Sequence, residues 1–290
     1  MDGIIIIDKP KGITSFDVIR KLRKILKFKK IGHTGTLDPL ATGLMILCLG
    51  KATKLAADLE AEDKIYEAHF DLGYLTDTYD IEGKILDKKN KVISKEDLQE
   101  SISKFIGNIK QIPPMYSAIK VQGKKLYELA RKGIEIERKE RDIKIDFIEL
   151  LDFSNNKAKI RAKVSKGCYI RSLIFDIAQE LETYGTMTEL RREQVGKAKI
   201  ENAFTIEKIE EMVKDKDFSF LISIEDKFNY EKFYLNDEQQ KILFLNGNTV
   251  KLKEKSANKR YRIYFKDKFL GLAEIKNEVL LKGYKYFWKI

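Results

Sequence analysis

The order of hydrophobic and polar residues predicts the main elements of the chain. Residues 65–73 alternate strictly, with Tyr66 on the apolar side and His69 on the polar side, which is typical of a half-buried strand. Between residues 18 and 26 the apolar positions recur at helical spacing, which predicts a helix capped by Thr14 or Ser15. Further strands are predicted at 3–8, 143–152 and 158–165, and further helices at 126–132, 171–181 and in the stretch entering 190–192. Ser94 and Asp97 form a capping-box pattern that predicts another helix over 94–106.

Helices and strands mix without a regular strand–helix alternation, so the fold class is predicted to be α+β. The chain has 290 residues, which suggests two domains. After a polar, charged stretch around 207–232, short strand-like runs are separated by Gly, Asn and Asp turns. We therefore predict a main domain over 1–230 and a small β-rich module over 231–290.

The distribution of net charge bears on the kind of partner that the protein binds. The formal net charge is +11, and the last sixty residues hold 14 Lys and Arg against 7 Asp and Glu, a surplus of +7. Such a basic segment on a nearly balanced body favours a polyanion, most simply nucleic acid. Lysines that only keep the surface soluble explain the same composition, and charge alone does not separate the two interpretations.

Several classes of protein are excluded by what the sequence lacks. The apolar run Ile4–Ile7 is too short for a signal peptide or a membrane span, so no membrane association and a cytoplasmic location are expected. Two cysteines and two histidines do not make a disulfide framework or a structural zinc site. Motifs for nucleotide hydrolysis, dinucleotide binding, zinc proteases and serine hydrolases are absent, so neither a cofactor nor a metal is expected.

Two loops carry acidic residues that could do chemistry. The Gly/Thr-rich loop 33–43 contains Asp38, which could act as a nucleophile or as an acid and base, or could simply hydrogen-bond its own turn. The loop 73–83 offers Asp77, Asp80 and Glu82. These lack the ligand spacing of a calcium loop, so a turn stabilised by side-chain hydrogen bonds is favoured over a metal site.

Two other segments carry aromatic and basic residues. Adjacent prolines fix an extended segment that leads into Tyr116 and Lys120, which could contact bases and phosphates or pack as ordinary buried and solvated side chains. A glycine-containing turn delivers Tyr169 and Arg171. Because apolar Ile170 lies between them, Arg171 could be partly buried and paired with a carboxylate.

Together these segments resemble the TruB family, the bacterial tRNA pseudouridine-55 synthases. The similarity runs in order over about residues 3–200 and is strongest in its combination of motifs. These are Gly3–Gly12, Gly32–Gly43, Lys64-Ile-Tyr66, Thr76-Asp77-Thr78, Pro113–Lys120, Ser165–Arg171 and Leu190-Arg191-Arg192. Cys168 departs from the family pattern, which more often has Thr there.

The resemblance implies a pseudouridine-synthase fold, with a central mixed and mostly antiparallel sheet, an active-site cleft and a C-terminal module similar to PUA domains. It implies that Asp38 is the catalytic aspartate and that Arg171 pairs with it, which would favour the charged carboxylate. It also implies that Tyr66 is a catalytic residue that stacks on the target base and helps remove the C5 proton, that Leu190 forms the opposite wall and that His33 helps displace or replace the flipped uridine. Tyr169 completes the expected substrate contacts.

The implied partner is the TΨC stem-loop of tRNA, recognised mainly by shape and backbone. No guide RNA is expected, and the protein is expected to be a monomer. Side chains expected to face phosphates are Lys9, Lys11, Lys64, Lys120, Arg131 and Lys132, besides the C-terminal lysines.

Two other functions compete with this interpretation. One is an RNA chaperone with little or no catalysis, since opening the T loop is itself a remodelling step. The other is a hydrolase that uses a carboxylate on a substrate other than nucleic acid.

Overall fold

The computed structural model describes residues 1–121 and 123–288. Its helices are α1 (Ser15–Ile25), α2 (Ala56–Ala61), α3 (Lys95–Ser103), α4 (Leu126–Ala130), α5 (Ile170–Glu180), α6 (Ile206–Lys214) and α7 (Glu238–Leu245). The first strands are β1 (Gly3–Lys9), β2 (Ile31–His33), β3 (Thr42–Leu49), β4 (Lys64–Leu72), β5 (Tyr74–Thr76), β6 (Ile85–Lys88), β7 (Gly107–Gln111), β8 (Lys120–Val121) and β9 (Lys124–Lys125). The later strands are β10 (Arg141–Ser154), β11 (Lys157–Val164), β12 (Gly185–Val195), β13 (Ala198–Lys199), β14 (Glu231–Tyr234), β15 (Val250–Lys251), β16 (Arg260–Phe265), β17 (Lys268–Lys276) and β18 (Leu280–Tyr286).

A large mixed sheet organises the first part of the chain. Its strand order is β1-β3-β12-β4-β11-β10-β7, with β2 on β3 and β13 on β12. Only β12 and β3 run parallel, through a short contact of two residue pairs, and the other neighbours are antiparallel. The close approach at this contact requires Gly43, whose φ is 103° and where a Cβ would lie 2.3 Å from the carbonyl oxygen of Arg192.

The two faces of this sheet are buried by different parts of the chain. Alternate residues of β1 separate accordingly: Ile5 and Ile7 face a core made with α1, α3, α5 and α6, whereas Ile4 and Ile6 face the other side. Tyr66 on β4 shares the helix-covered face with Ile5 and Ile7. We call this the helical face and the other the module face.

The C-terminal module closes the module face. It contains a second sheet of order β14-β16-β17-β18-β15. Leu272 and Phe287 of this module belong to the same buried cluster as Ile4 and Ile46. Lys285 also forms a salt bridge with Asp58 across the contact. The module is therefore packed on the sheet through an apolar interface, behind the helical face.

The structure confirms the predicted α+β class, the mixed sheet and the β-rich C-terminal module. Alternation correctly predicted β4, and the predicted capping at Thr14 and Ser94 is present as capping boxes. The helix predicted to enter 190–192 is wrong, because these residues lie in β12. There β12 pairs along its length with β4, so tertiary pairing determines the local structure.

Replacing Phe287, which is 1% exposed, by Ala is expected to lower the free energy of unfolding by about 3–5 kcal/mol. The loss should be seen in urea denaturation followed by the fluorescence of Trp288, the single tryptophan. Tyr284→Ala is the control, since this side chain is 45% exposed, and it should cost clearly less. The shared core would be contradicted if the module unfolded in a separate transition at lower urea and Phe287→Ala left the unfolding of the main domain unchanged.

Candidate active site

Arg171 is the central charged group of the candidate site. It lies in the first turn of α5, and its side chain is only 5% exposed. One end of the guanidinium, Nη2, lies 2.8 Å from Asp38 Oδ2 and donates to the Tyr116 carbonyl at 2.8 Å. The other, Nη1, donates to the Thr78 carbonyl at 2.9 Å and lies 3.5 Å from Asp80 Oδ2. The guanidinium is therefore satisfied by groups from three separate loops.

Asp38 is the more accessible of the two carboxylates around Arg171. Its side chain is 38% exposed, whereas that of Asp80 is 6% exposed. A carboxylate that is held on one side by a buried cation and open on the other can meet a ligand in a fixed orientation. The arrangement suits a chemical role for Asp38 and a supporting role for Asp80.

The loop that carries Asp38 is fixed by hydrogen bonds from the start of α1 and from the loop between β1 and α1. Ser15 Oγ donates to the Leu37 carbonyl at 2.9 Å and accepts from the Leu37 amide at 2.8 Å. On the other side of Asp38, the Gly12 amide donates to the Pro39 carbonyl at 2.8 Å. These contacts bracket Asp38 and limit the movement of its backbone.

Lys9 and Lys64 are placed differently from the sequence prediction, which had both facing phosphates. Lys9 is 0% exposed, and its ammonium donates to the carbonyls of Ile13, at 2.8 Å, and Pro39, at 3.4 Å. Lys64 is 6% exposed and donates to the carbonyls of residues 60 and 62. Burial lowers the pKa of each to about 8. Both ammonium groups hold backbone carbonyls, so neither faces a phosphate.

Asp80 is held in the turn that the sequence favoured over a metal site. Its Oδ1 accepts from Thr78 Oγ1 at 2.7 Å and from the Glu82 amide at 3.1 Å. Burial raises the pKa of Asp80, while Thr78 and the guanidinium of Arg171 lower it. Across residues 1–121 and 123–288 no cluster of three or more potential metal ligands occurs. The sequence did not predict that Asp80 pairs with Arg171. The only indication was that Asp80 lies in an acidic loop, three residues after Asp77.

Apolar and aromatic side chains lie on the strands next to this cluster. Tyr66 on β4 is 9% exposed, and Leu190 on β12 is 8% exposed. In the pairing of the two strands, Tyr66 lies opposite Arg192 and Leu190 opposite Ala68, so both side chains belong to the helical face. They can form apolar walls for a planar ligand.

His33 ends β2, at the start of the loop that carries Asp38. Its Nδ1 accepts a hydrogen bond from the Gly35 amide at 3.3 Å. Burial and the neighbouring positive charge of Arg192 lower the pKa of this imidazole. His33 is therefore neutral at physiological pH and can accept or donate a hydrogen bond without adding charge.

The remaining predicted contacts lie on a segment between β7 and β10 and at the start of α5. Tyr169 caps α5, where its amide donates to Gln111 Oε1 at 2.8 Å and its carbonyl accepts from Gln111 Nε2 at 3.1 Å. Burial raises the pKa of Tyr169. Lys120 and Arg131 are exposed, and the guanidinium of Arg131 lies over the ring of Tyr127, 5.4 Å from its centroid. These two cations remain available to a ligand.

Family models match most of the chain. A model described as "TruB family pseudouridylate synthase (N terminal domain)" matches residues 23–170, and one described as "tRNA pseudouridylate synthase B C-terminal domain" matches residues 171–224. The tRNA pseudouridine synthase B of Fusobacterium nucleatum subsp. nucleatum is 66% identical over 287 residues, covering 99% of this chain and 100% of that one. The enzyme of the same name from Clostridium novyi is 45% identical, covering 94% and 95%.

Solved structures share the fold at lower identity. A chain of an H/ACA ribonucleoprotein bound to a substrate RNA containing 2′-deoxyuridine has a TM-score of 0.69 and 22% identity, covering 99% of this chain and 85% of that one. A chain of a Cbf5-Nop10-Gar1 complex gives a TM-score of 0.69 and 24% identity with the same coverage. Among the described helices, none has the length and apolar character needed to cross a membrane.

The half-buried carboxyl group of Asp176, on α5, predicts a pH-dependent stability. Burial raises its pKa from 3.8 to about 7, so the folded chain keeps a proton that the unfolded chain releases from about pH 4 upwards. Stability is therefore highest below pH 4 with respect to this group and falls as the pH rises towards 7.

The variant Asp176→Asn has no carboxyl group at this position, so it should not lose stability in this way as the pH rises. Between pH 4 and 7 its free energy of unfolding should rise relative to wild type, by at most about 4 kcal/mol, in urea titrations at several pH values. Asp215→Asn, at an exposed position, is the matched control and should keep a constant difference from wild type. A constant difference for Asp176→Asn as well would show that this carboxyl group titrates normally.

Proposed function

Because the chain belongs to the TruB family of pseudouridylate synthases, we propose that it converts the T-loop uridine at position 55 of tRNA to pseudouridine, with Asp38 as the catalytic carboxylate. The chain is an isomerase that acts on uridine in tRNA. The observation that carries the finer proposal is the position of Asp38, held 2.8 Å from a buried arginine and still partly open to solvent.

The proposed reaction rearranges bonds within one nucleotide. The bond from ribose C1′ to N1 of uracil breaks, the base turns, and a bond from C1′ to C5 forms. The proton on C5 leaves, and N1 gains one, so no electron or phosphoryl group has to be supplied. Asp38 can attack C1′, attack C6 of the ring or take the 2′ proton, since a carboxylate can act as a nucleophile and as a base.

Arg171 positions the carboxylate in this proposal. With its guanidinium fixed by the carbonyls of Thr78 and Tyr116, Asp38 is held without a flexible partner. Tyr66 and Leu190 would enclose the flipped base between apolar walls, which partly offsets the few kcal/mol that unstacking costs. His33, as a neutral side chain beside the loop, can occupy the space that the base leaves.

The substrate is proposed to be the TΨC stem-loop, bound without a guide RNA by a monomer. Lys120 and Arg131 are the exposed cations that we retain as phosphate contacts near the target loop. Tyr169 would support the base pocket from the start of α5. Residues 1–230 would form the catalytic domain, and residues 231–290 a PUA-like RNA-binding domain.

Asp38→Asn is nearly isosteric and keeps the hydrogen-bonding shape while removing the charge. It is expected to lower the rate of uridine conversion by about a thousandfold or more, because an amide can neither attack carbon nor accept the 2′ proton effectively. Carbodiimide mapping of a tRNA transcript after incubation measures the conversion and its position. Asp215→Asn is the control and should convert uridine at the wild-type rate.

Two results would overturn parts of the proposal. Conversion by Asp38→Asn at the wild-type rate would show that another group carries the chemistry. Binding of the transcript by the wild-type protein, with every uridine left intact, would favour an RNA chaperone over an enzyme.

A further inference from the structure

Positive charge is concentrated in one short segment near the start of the chain. Residues 11–30 contain eight Lys and Arg against the single Asp17, a net charge of +7. This equals the surplus of the last sixty residues. Since the first 230 residues carry a net charge of +4, those outside the segment 11–30 carry −3 and are slightly acidic. The charge of the first 230 residues is therefore nearly balanced in total but unevenly distributed along the chain.

Most of this charge lies on one exposed side of α1 and on the loop that follows it. Val18, Ile19 and Leu22 bury the opposite side of the helix in the core of the helical face. The basic side chains that are exposed are Arg20, Lys21, Lys24, Lys27, Lys29 and Lys30. We call these six residues the α1 basic face.

The α1 basic face is poorly neutralised within the protein. Of its six members, Arg20 alone forms a salt bridge, with Asp17 at 2.6 Å, as far as residues 1–121 and 123–288 show. In the C-terminal module, by contrast, lysines are paired repeatedly with acidic residues, as in Lys255–Glu278 and Lys276–Glu274. Unpaired lysines on a helix attract an anion more strongly than paired ones, because no bound carboxylate has to be displaced.

The position of α1 relates this charge to the candidate site. The helix begins at the loop that carries Asp38, through the two hydrogen bonds between Ser15 and Leu37. It covers the same sheet face as Tyr66, while the C-terminal module packs on the opposite face. Its eleven residues extend for about 16 Å from that loop, which is long enough to follow several phosphates of a nucleic-acid strand.

We propose that the α1 basic face binds the phosphate backbone of the helical stem next to the target loop of the RNA. A uridine that reaches Asp38 places its stem beside the start of α1, and the exposed lysines then follow the backbone away from the site. The contacts are to phosphates and so are independent of sequence, as expected for shape-based recognition of double-stranded RNA. This inference rests on the proposed function, because it takes RNA as the substrate.

The test is a double variant, Lys21→Gln/Lys24→Gln, which keeps helix propensity while removing two charges. Binding of a tRNA transcript is measured over a series of salt concentrations. The variant is expected to bind about tenfold more weakly at 0.1 M salt, and the slope of log affinity against log salt should fall by about two. The RNA concentration that gives half the maximal rate of uridine conversion should rise in parallel.

The matched control is Lys95→Gln/Lys157→Gln, which removes two exposed lysines on other elements of the main domain. Neither lysine forms a salt bridge with any residue that the structure describes. It should leave the salt slope unchanged. An equal effect of both double variants, or no effect of either, would overturn the assignment of the stem to α1. Since binding and conversion are measured separately, a wild-type protein that binds but does not convert RNA would contradict the proposed function and leave the binding result interpretable.

Discussion

The buried guanidinium of Arg171 is the constraint on which the rest of the site depends. Removing an arginine from water costs several kcal/mol unless its donors are paired, and breaking one partner of a buried pair typically costs about 3–5 kcal/mol. The acceptors here come from the loops that hold Asp38, Thr78 and Tyr116, which are far apart in sequence. Closing these loops around one cation therefore builds the site and stabilises the fold in the same step.

Several other polar groups serve this closure from inside the protein. Lys9 donates to the carbonyl of Ile13, just before α1, and to that of Pro39, just after Asp38, and Ser15 fixes the residue before Asp38. Arg192 donates to the carbonyls of Leu44, at 2.6 Å, and Gly35, at 3.3 Å, where β3 and β12 meet. Buried cations thus tie irregular backbone to the sheet and leave Asp38 as the partly open carboxylate among them.

The sequence predicted what depends on local pattern and missed what depends on tertiary partners. Strict alternation identified β4, and the placement of Ser94 and Asp97 identified the start of α3, because both signals lie within a few residues. The segment around Leu190 reads as a helix locally and becomes a strand through its pairing with β4. The motifs predicted that Asp38 pairs with Arg171. No pattern in the sequence indicated that Asp80 is the second carboxylate beside Arg171 or that Lys9 is buried.

The shared cluster on the module face has a consequence for how the protein is made. Ile4 and Phe287 belong to one buried cluster although they lie far apart along the chain. During translation, part of the module face of β1 and β3 therefore stays uncovered until the segment that carries Leu272 and Phe287 has left the ribosome. Until then the main sheet carries an apolar surface that is accessible to chaperones and to other nascent chains.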